Sequence, residues 1–281
     1  MGVLAQVGLG VRFYLGLGAP GERRRYPECS VRSARGYSPE FLRTLLAIYL
    51  GKAAAEVGTM ERVNFRCGRI TVPGQPTEFF FKEFPRHHFA HDLERRVRLS
   101  RVDRAWRAAH LLPRMGLLTP RAVGTVQRPD VGGEMMEYLA TEWFGGGLPF
   151  PDALSLVGSD LDARAVRLRE FTELMGRCHD RGVYLRDLVK NVLVKDEVGQ
   201  RTYWLTDLDG LHPIRRINRR RILFHLGQLA YYCPLTQDEA GFVCDTYLGT
   251  TQGEWAGEVL GTLTAEQAWG VAGRRGGRRH G

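Results

Sequence analysis

Three short segments of this 281-residue chain carry side chains whose types and order suit phosphoryl transfer. The first, Phe79-Phe80-Phe81-Lys82-Glu83-Phe84, sets a lysine inside a strongly apolar run. Such an ammonium must reach water or meet an anion, because burying a lone charge is costly. The plain reading is an edge-strand lysine on the solvent face; the chemical one is a lysine that holds phosphates. The second segment runs from Leu174 to Val194 and contains Arg186-Asp187-Leu188-Val189-Lys190-Asn191. There Asp187 can accept a hydroxyl proton and orient the attacking oxygen, and Asn191 offers an amide oxygen as a hard ligand for magnesium. The third, Tyr203-Trp204-Leu205-Thr206-Asp207-Leu208-Asp209-Gly210, places Asp207 directly after an apolar strand. A carboxylate in that position can hold the Mg2+ that bridges the β and γ phosphates of ATP. Each segment alone is common, and an Asp-Gly at a strand end is usually just a turn. Their order is more specific: strand lysine, loop Asp and Asn, strand-end Asp. Asp209 has three readings, as a helper at the metal, an arginine partner or a turn cap.

Those residues need elements to position them. Ser38 is a good N-cap for a helix from Pro39 to about Ala55, with Leu42, Leu45, Leu46, Tyr49 and Leu50 on one face. Strand-like runs follow at Arg62–Val72 and Glu78–Phe84, joined by the turn Pro73-Gly74-Gln75-Pro76. Residues 93–113 are helical by period, and Gly116 stands where a helix would stop. Two further strands, Ala122–Gln127 and Met135–Glu142, precede the break Gly145-Gly146-Gly147. The clearest helix is Asp162–Arg181, where Phe171, Leu174, Met175 and Cys178 recur at helical spacing. Short strands at Val192–Lys195 and Tyr203–Thr206 come next, and residues 218–250 read as helix. Residues 1–40 read as an irregular extension with an extra strand around Val11–Leu17. The pattern predicts an extension over 1–59 carrying one helix, a strand-rich lobe over 60–147, a helical lobe over 148–265 and a basic disordered tail over 266–281. A site would be expected between the two lobes.

Composition narrows the options. With 43% apolar residues the chain can bury a substantial core. No run of eighteen uncharged apolar residues occurs, so no spanning segment is expected. The apolar start, Met1–Pro20, lacks a basic leader region and a cleavage pattern and reads as mature protein. Five scattered cysteines, Cys29, Cys67, Cys178, Cys233 and Cys244, point to a reduced, cytosolic chain. The net charge of +9 implies an anionic partner, with arginine clusters at 23–25, 95–104, 215–221 and 274–279. Solvated surface accounts for part of that charge. Nucleic acid is disfavoured, since zinc-finger spacing and paired RNA-binding aromatics are both absent. His87, His88 and His91 lie close together but beside Arg86 and Arg95, which fits a solvated cluster better than a metal site.

The stretch from about Glu61 to Gly249 resembles the lipopolysaccharide core kinases (Kdo and heptose kinases), a branch of the protein-kinase-like superfamily. The resemblance rests on the run Leu99 to Leu112 with Trp106, on Gly116-Leu117-Leu118-Thr119-Pro120, on Thr141-Glu142-Trp143-Phe144, and on Phe242 to Leu248. It implies an α+β, bilobal protein-kinase-like fold and transfer of the ATP γ-phosphoryl group to a sugar hydroxyl. By this resemblance Lys82 binds phosphates, Asp187 is the catalytic base, and Asn191 and Asp207 ligate magnesium. Glu142 and Phe144 fall in the adenine-binding hinge. The acceptor would be an anionic sugar or lipid-linked oligosaccharide, met by a cytosolic enzyme associating peripherally with the anionic inner face of the inner membrane.

Four positions depart from the family pattern. Leu185 stands two before Asp187, where histidine is usual. The Asp187-to-Asn191 interval is one residue short, and no glycine-rich loop precedes Lys82, although Gly68 and Gly74 are candidates. Ala105 occupies the place of the glutamate that should pair with Lys82, leaving Glu94 and Asp103 as substitutes. Other readings stay open: an aminoglycoside- or choline-type kinase, a protein kinase, or a nucleotide-binding module without turnover. The basic charge argues against a pocket for cationic acceptors, and no Ala-Pro-Glu end follows Asp209 to support a protein kinase.

Overall fold

Alternation along one strand explains the centre of the structure. In β5 (Phe79–Pro85) the odd positions Phe79 and Phe81 are buried, while Lys82 leaves from the opposite face. The strand belongs to a seven-stranded antiparallel sheet of order β1-β2-β6-β7-β5-β4-β3. Its other members are β1 (Glu22–Arg25), β2 (Ser30–Ser33), β3 (Thr59–Asn64), β4 (Cys67–Thr71), β6 (Ala122–Pro129) and β7 (Met135–Glu142). The computed structural model describes residues 21–64, 66–85, 100–129, 133, 135–197, 199–214 and 217–251. These divide into two units. One takes the described residues up to Gly145 together with Asp207–Gly210, and the other takes Gly146–Thr206 and those from Leu211 onward.

In the sheet unit, helix α1 (Pro39–Tyr49) starts as its sequence predicts, with the Ser38 hydroxyl accepting from the Phe41 N–H at 3.1 Å and Pro39 at the first position. Its apolar face, Leu42, Leu45 and Tyr49, covers Val31, Ile70 and Phe81 of the sheet. Helix α2 (Arg101–Leu111) is capped by Ser100, buries Val102, Ala105, Trp106 and Ala109, and passes through a 3-10 turn (Leu112–Met115) to Gly116 at φ +66.

Two expectations fail here for local reasons. The single run Arg62–Val72 is a hairpin of β3 and β4, because the Asn64 side chain accepts from the Arg66 N–H at 2.8 Å and turns the chain. The stretch read as irregular contains the β1–β2 hairpin. Its turn, Tyr26-Pro27-Glu28-Cys29, is closed by a 2.8 Å bond from the Tyr26 N–H to the Cys29 carbonyl, and β2 pairs with β6. The expected strand at Val11–Leu17, the histidines 87, 88 and 91, and the basic tail lie outside the described residues.

The second unit contains β8 (Leu148–Pro149), α3 (Phe150–Leu156), α4 (Leu161–Asp180), β9 (Val183–Leu185), β10 (Val192–Glu197), β11 (Gln200–Leu205), β12 (Leu211–Pro213), α5 (Arg219–Tyr232) and α6 (Gln237–Thr250). A three-stranded sheet runs β11-β10-β8, and β9 pairs with β12. Stacked Phe150 and Phe171, with centroids 3.9 Å apart, fill the space between α3 and α4. The predicted helix over 218–250 is two helices. Cys233, forced extended by Pro234, ends α5, and a capping box between Thr236 and Glu239 starts α6.

Close approach of α1 to the sheet depends on Gly124. A Cβ there would lie 2.1 Å from Leu42 Cδ1 and 2.5 Å from the Arg32 carbonyl oxygen. Gly124→Ala is therefore expected to destabilise the protein by roughly 1–3 kcal/mol through overpacking. Gly241→Ala, in α6 with nothing within 4 Å of its added carbon, should instead stabilise by about 0.5–1 kcal/mol. Thermal unfolding of the two variants checks this, and equal midpoints would contradict it.

Candidate functional site

In the sheet unit the register places Lys82 between Cys67 of β4 and Leu139 of β7. Its ammonium forms an ion pair with Asp207 Oδ1, lies 3.5 Å from Asp209 Oδ1, and stands 5.1 Å from the Phe84 ring centroid. The lysine thus meets anions rather than the solvent of an edge strand. Asp207, which follows β11, is the one non-glycine residue with positive φ among the described residues, at +52°. Left-handed backbone at a residue with a Cβ costs about 1–3 kcal/mol and recurs at functional positions. The next residues form a 3-10 turn, Leu208–Gly210, packed on α2.

Asp209 is buried with only 7% of its side chain exposed. Its Oδ2 accepts from Arg101 Nε at 2.6 Å and Nη2 at 2.5 Å, and its carbonyl accepts from Arg104 Nε at 2.9 Å. The structure thereby selects the arginine-partner reading of Asp209. Although 44% of its side chain is exposed, partial desolvation pushes the Asp207 carboxyl above its usual range, aided by the like charge of Asp209 and opposed by Lys82. Burial acts the same way on Asp209, but Lys82 and Arg101 together outweigh it and hold that carboxyl low. Arg101 and Arg104 were not singled out by the sequence reading. Their i, i+3 spacing on one helix face was the available signal.

The substitutes proposed for the missing glutamate are resolved in part. Asp103 pairs with Arg32 at 2.9 Å, Ala105 is buried in the core, and Glu94 lies outside the described residues. Gly68 sits in the β3–β4 pairing opposite Arg62, and Gly74 occupies the β4–β5 turn at φ +75. At the end of β7, Glu142 accepts from the Tyr37 hydroxyl at 2.6 Å and from Arg121 Nη1 at 3.1 Å. Burial, with Glu142 second, pushes the Tyr37 phenol up to about 12. Trp143 donates its N–H to the Glu78 carbonyl at 2.8 Å, and Phe144 follows, half-buried.

In the helical unit, Asp187 is exposed on the loop between β9 and β10, with Oδ1 accepting from Gln228 Nε2 at 3.3 Å. The Asn191 N–H donates to the carbonyls of Asp187 and Leu188, both at 3.1 Å, which closes the loop on itself. The Asn191 carbonyl accepts from the Thr206 N–H at 2.7 Å and hydroxyl at 3.0 Å, and its side-chain amide makes no hydrogen bond among the described residues. Leu185 points into the core, and its carbonyl accepts from His225 Nε2 at 2.9 Å.

Behind that bond runs a buried chain. His225 Nδ1 lies 2.8 Å from His179 Nε2, and His179 Nδ1 lies 2.7 Å from the Tyr247 hydroxyl. A carbonyl only accepts, so His225 carries its proton on Nε2. His179 must then donate from Nε2 and accept from Tyr247. The order of donors is fixed along the whole chain.

Among the described residues, no three His, Cys, Asp or Glu side chains gather as a closed metal site would require. Magnesium bound with nucleotide needs only one or two protein oxygens, the rest coming from phosphates and water. The exposed carboxylate of Asp207 and the unengaged amide of Asn191 have that chemistry.

Neither a protein-family model nor a curated protein sequence matches the chain. Among solved structures, WaaP in complex with acyl carrier protein is similar at a TM-score of 0.53 and 15% identity, covering 76% of this chain and 88% of that one. A glucosamine kinase in complex with glucosamine, ADP and inorganic phosphate matches at 12% identity over 89% of this chain and 69% of that one. Its TM-score of 0.37 is too low for a shared fold. The likeness to WaaP agrees with the resemblance read from the sequence, and the chain has an α+β, kinase-like fold.

Burial holds both histidines neutral, His179 well below its usual range and His225 down to about 4. An unfolded chain protonates them near pH 6.5, so the native state binds fewer protons between that pH and about 4. Their contribution to stability is complete above pH 6.5 and is lost as the pH falls through this window. In urea unfolding at pH 7.5 and pH 5, the wild type should lose more stability than a His179→Gln/His225→Gln double variant. Parallel losses in the two proteins would exclude the histidines as the cause.

Proposed function

We propose that this chain is an ATP-dependent phosphotransferase that moves the γ-phosphoryl group onto a hydroxyl of a lipopolysaccharide core sugar, Kdo or heptose. The observation that carries the reading is the pairing of the strand lysine, Lys82, with Asp207 held in left-handed backbone just past a strand. Such strain is retained where a side chain must point in one direction.

In this reading Lys82 exchanges carboxylate oxygens for phosphate oxygens, and Asp207 and Asn191 hold magnesium. The metal's chemistry is charge neutralisation at the phosphates. Asp187 takes the proton of the acceptor hydroxyl; one of its oxygens is bonded to Gln228, and the loop exposes the carboxylate. Glu142 and Phe144 belong to the segment beside the adenine. Positioning and electrostatics supply the rate, and no covalent intermediate is expected. The sugar acceptor is supported by the sequence resemblance and by the net charge of +9, which suits an anionic substrate.

Transfer from magnesium-ATP to core oligosaccharide is the direct assay. Asp187→Asn should lower kcat by on the order of 10² or more while leaving the fold intact, since a positioned base contributes that much. Asp207→Ala should abolish the magnesium dependence of nucleotide affinity. Wild-type turnover in Asp187→Asn, or magnesium dependence that survives Asp207→Ala, would remove these assignments. Better transfer to a small amine-bearing sugar than to core oligosaccharide would replace the acceptor class.

No helix of the described residues is long and apolar enough to cross a membrane. On the net charge of +9, the reading also includes reversible attachment to anionic lipid through basic residues, each worth about 1 kcal/mol near such a surface. Co-sedimentation with liposomes should require anionic lipid and fade with salt. Binding indifferent to both would contradict it.

A further inference from the structure

The loop that carries Asp187 is tracked along its length by one stripe of α5. Arg221 stacks over the Tyr184 ring, with the guanidinium carbon 4.7 Å from the centroid. His225 stacks on the same ring at 5.0 Å and donates to the Leu185 carbonyl. Gln228 Nε2 donates to the Arg186 carbonyl at 3.1 Å and to Asp187 Oδ1 at 3.3 Å. Lys190 Nζ lies 4.2 Å from the centroid of Tyr232. Positions 221, 225, 228 and 232 are spaced i, i+4, i+7 and i+11, so they share one helix face. Read in that order, they meet residues 184 and 185 of β9 and then 186–187 and 190 of the loop.

Two features argue that this match is more than packing. The Arg186 carbonyl facing Gln228 can only accept, so the amide nitrogen has to point at the loop. Its Oε1 is then buried without a hydrogen-bond partner among the described residues. An unsatisfied buried oxygen costs about 1–3 kcal/mol, which a leucine or methionine there would avoid. His225 likewise bonds the Leu185 carbonyl directly, and its other ring nitrogen is held by a buried chain through His179 to Tyr247 of α6. Polar groups kept in a core at such cost are there for the orientation they impose.

We propose that α5 is the template that sets the geometry of the Asp187 loop, with His225 and Gln228 as positioning residues and His179 and Tyr247 fixing the His225 ring. Position 185, where β9 enters the loop, is a leucine and cannot make these bonds with its side chain. This inference rests on the reading of Asp187 as the base, but the holding of the loop can be measured without any turnover.

The experiment is amide hydrogen exchange over residues 184–191 in the full chain, paired with steady-state kinetics. Gln228→Met keeps side-chain length and removes the amide, both its donor and its unpartnered oxygen, and it carries the decision because loss of His225 threatens the core. Exchange in the loop should speed up about tenfold in Gln228→Met and in His225→Leu, while α4 and α6 stay protected. In the same variants kcat should fall about tenfold or more with KM for magnesium-ATP changed less than about twofold. His225→Gln, whose amide can still donate to Leu185, should recover part of both losses. Unchanged exchange in Gln228→Met overturns the proposal, and so does a loosened loop with wild-type kcat. A loosened loop in a chain whose wild type transfers no phosphate leaves the template standing and sinks the kinase reading instead.

Discussion

A lysine in the middle of an apolar strand constrains the rest of the sheet unit. Lys82 stands against the Phe84 ring with 28% of its side chain exposed, and its ammonium is met by anions. Those anions arrive from far along the chain, on the turn Asp207–Gly210. Bringing two carboxylates to one ammonium leaves negative charge in excess; Arg101 on α2 supplies the compensation, and Arg104 bonds the Asp209 carbonyl. The result is a row of alternating charge in which α2, β5 and the turn hold each other. Only Asp209 of this row is deeply buried, with 7% of its side chain exposed, and its bonds to Arg101 and Arg104 tie the turn to α2.

The two carboxylates are not equivalent in that row. Asp209 is buried and has Arg101 as a second cation; Asp207 is exposed and has Lys82 as its partner among the described residues. A cation arriving at Asp207 would free Lys82 to face phosphate, while Asp209 stays neutralised by arginine. In the proposed function this asymmetry divides the labour: Asp209 is structural, and Asp207 is available. Desolvation raises both carboxyls; at Asp209 Lys82 and Arg101 outweigh it, whereas at Asp207 Lys82 is the one opposing cation and Asp209 adds to the rise.

Much of this was legible in the sequence because it is local. Ser38 and Gly116 mark helix ends through their own chemistry, and alternation in residues 79–84 marks a strand. The β3–β4 hairpin was missed because Asn64 turns the chain with its side chain and no Gly or Pro announces the turn. The split of the last helical stretch could have been read from Cys233-Pro234 followed by Thr236 and Glu239. The site divides the same way. Lys82, Asp187, Asn191 and Asp207 stand out by type and order, whereas Arg101, Arg104, His225 and Gln228 matter only through partners about 40 to more than 100 residues away. No spacing rule connects such pairs in a single sequence.

The two departures at signature positions look different once those distant partners are known. Ala105 removes a carboxylate from α2, and the same helix instead offers arginines, so the sign of the contact is reversed and the anion comes from the turn. Leu185 removes an imidazole from the loop, and an imidazole returns from α5 to bond the backbone of that same residue. In each case the electrostatic or hydrogen-bonding requirement persists, and a different element meets it. A missing signature residue therefore argues against a role only if the charge or hydrogen bond that it would supply is also missing in space. Here Lys82 has its anions, and the loop before Asp187 has its donor. What the helical unit adds is neutrality: its anchoring chain is built from histidines that burial keeps uncharged. In the proposed function the loop is thus held at Leu185 and Asp187 by uncharged groups, and the stripe's one cation, Arg221, stacks on Tyr184.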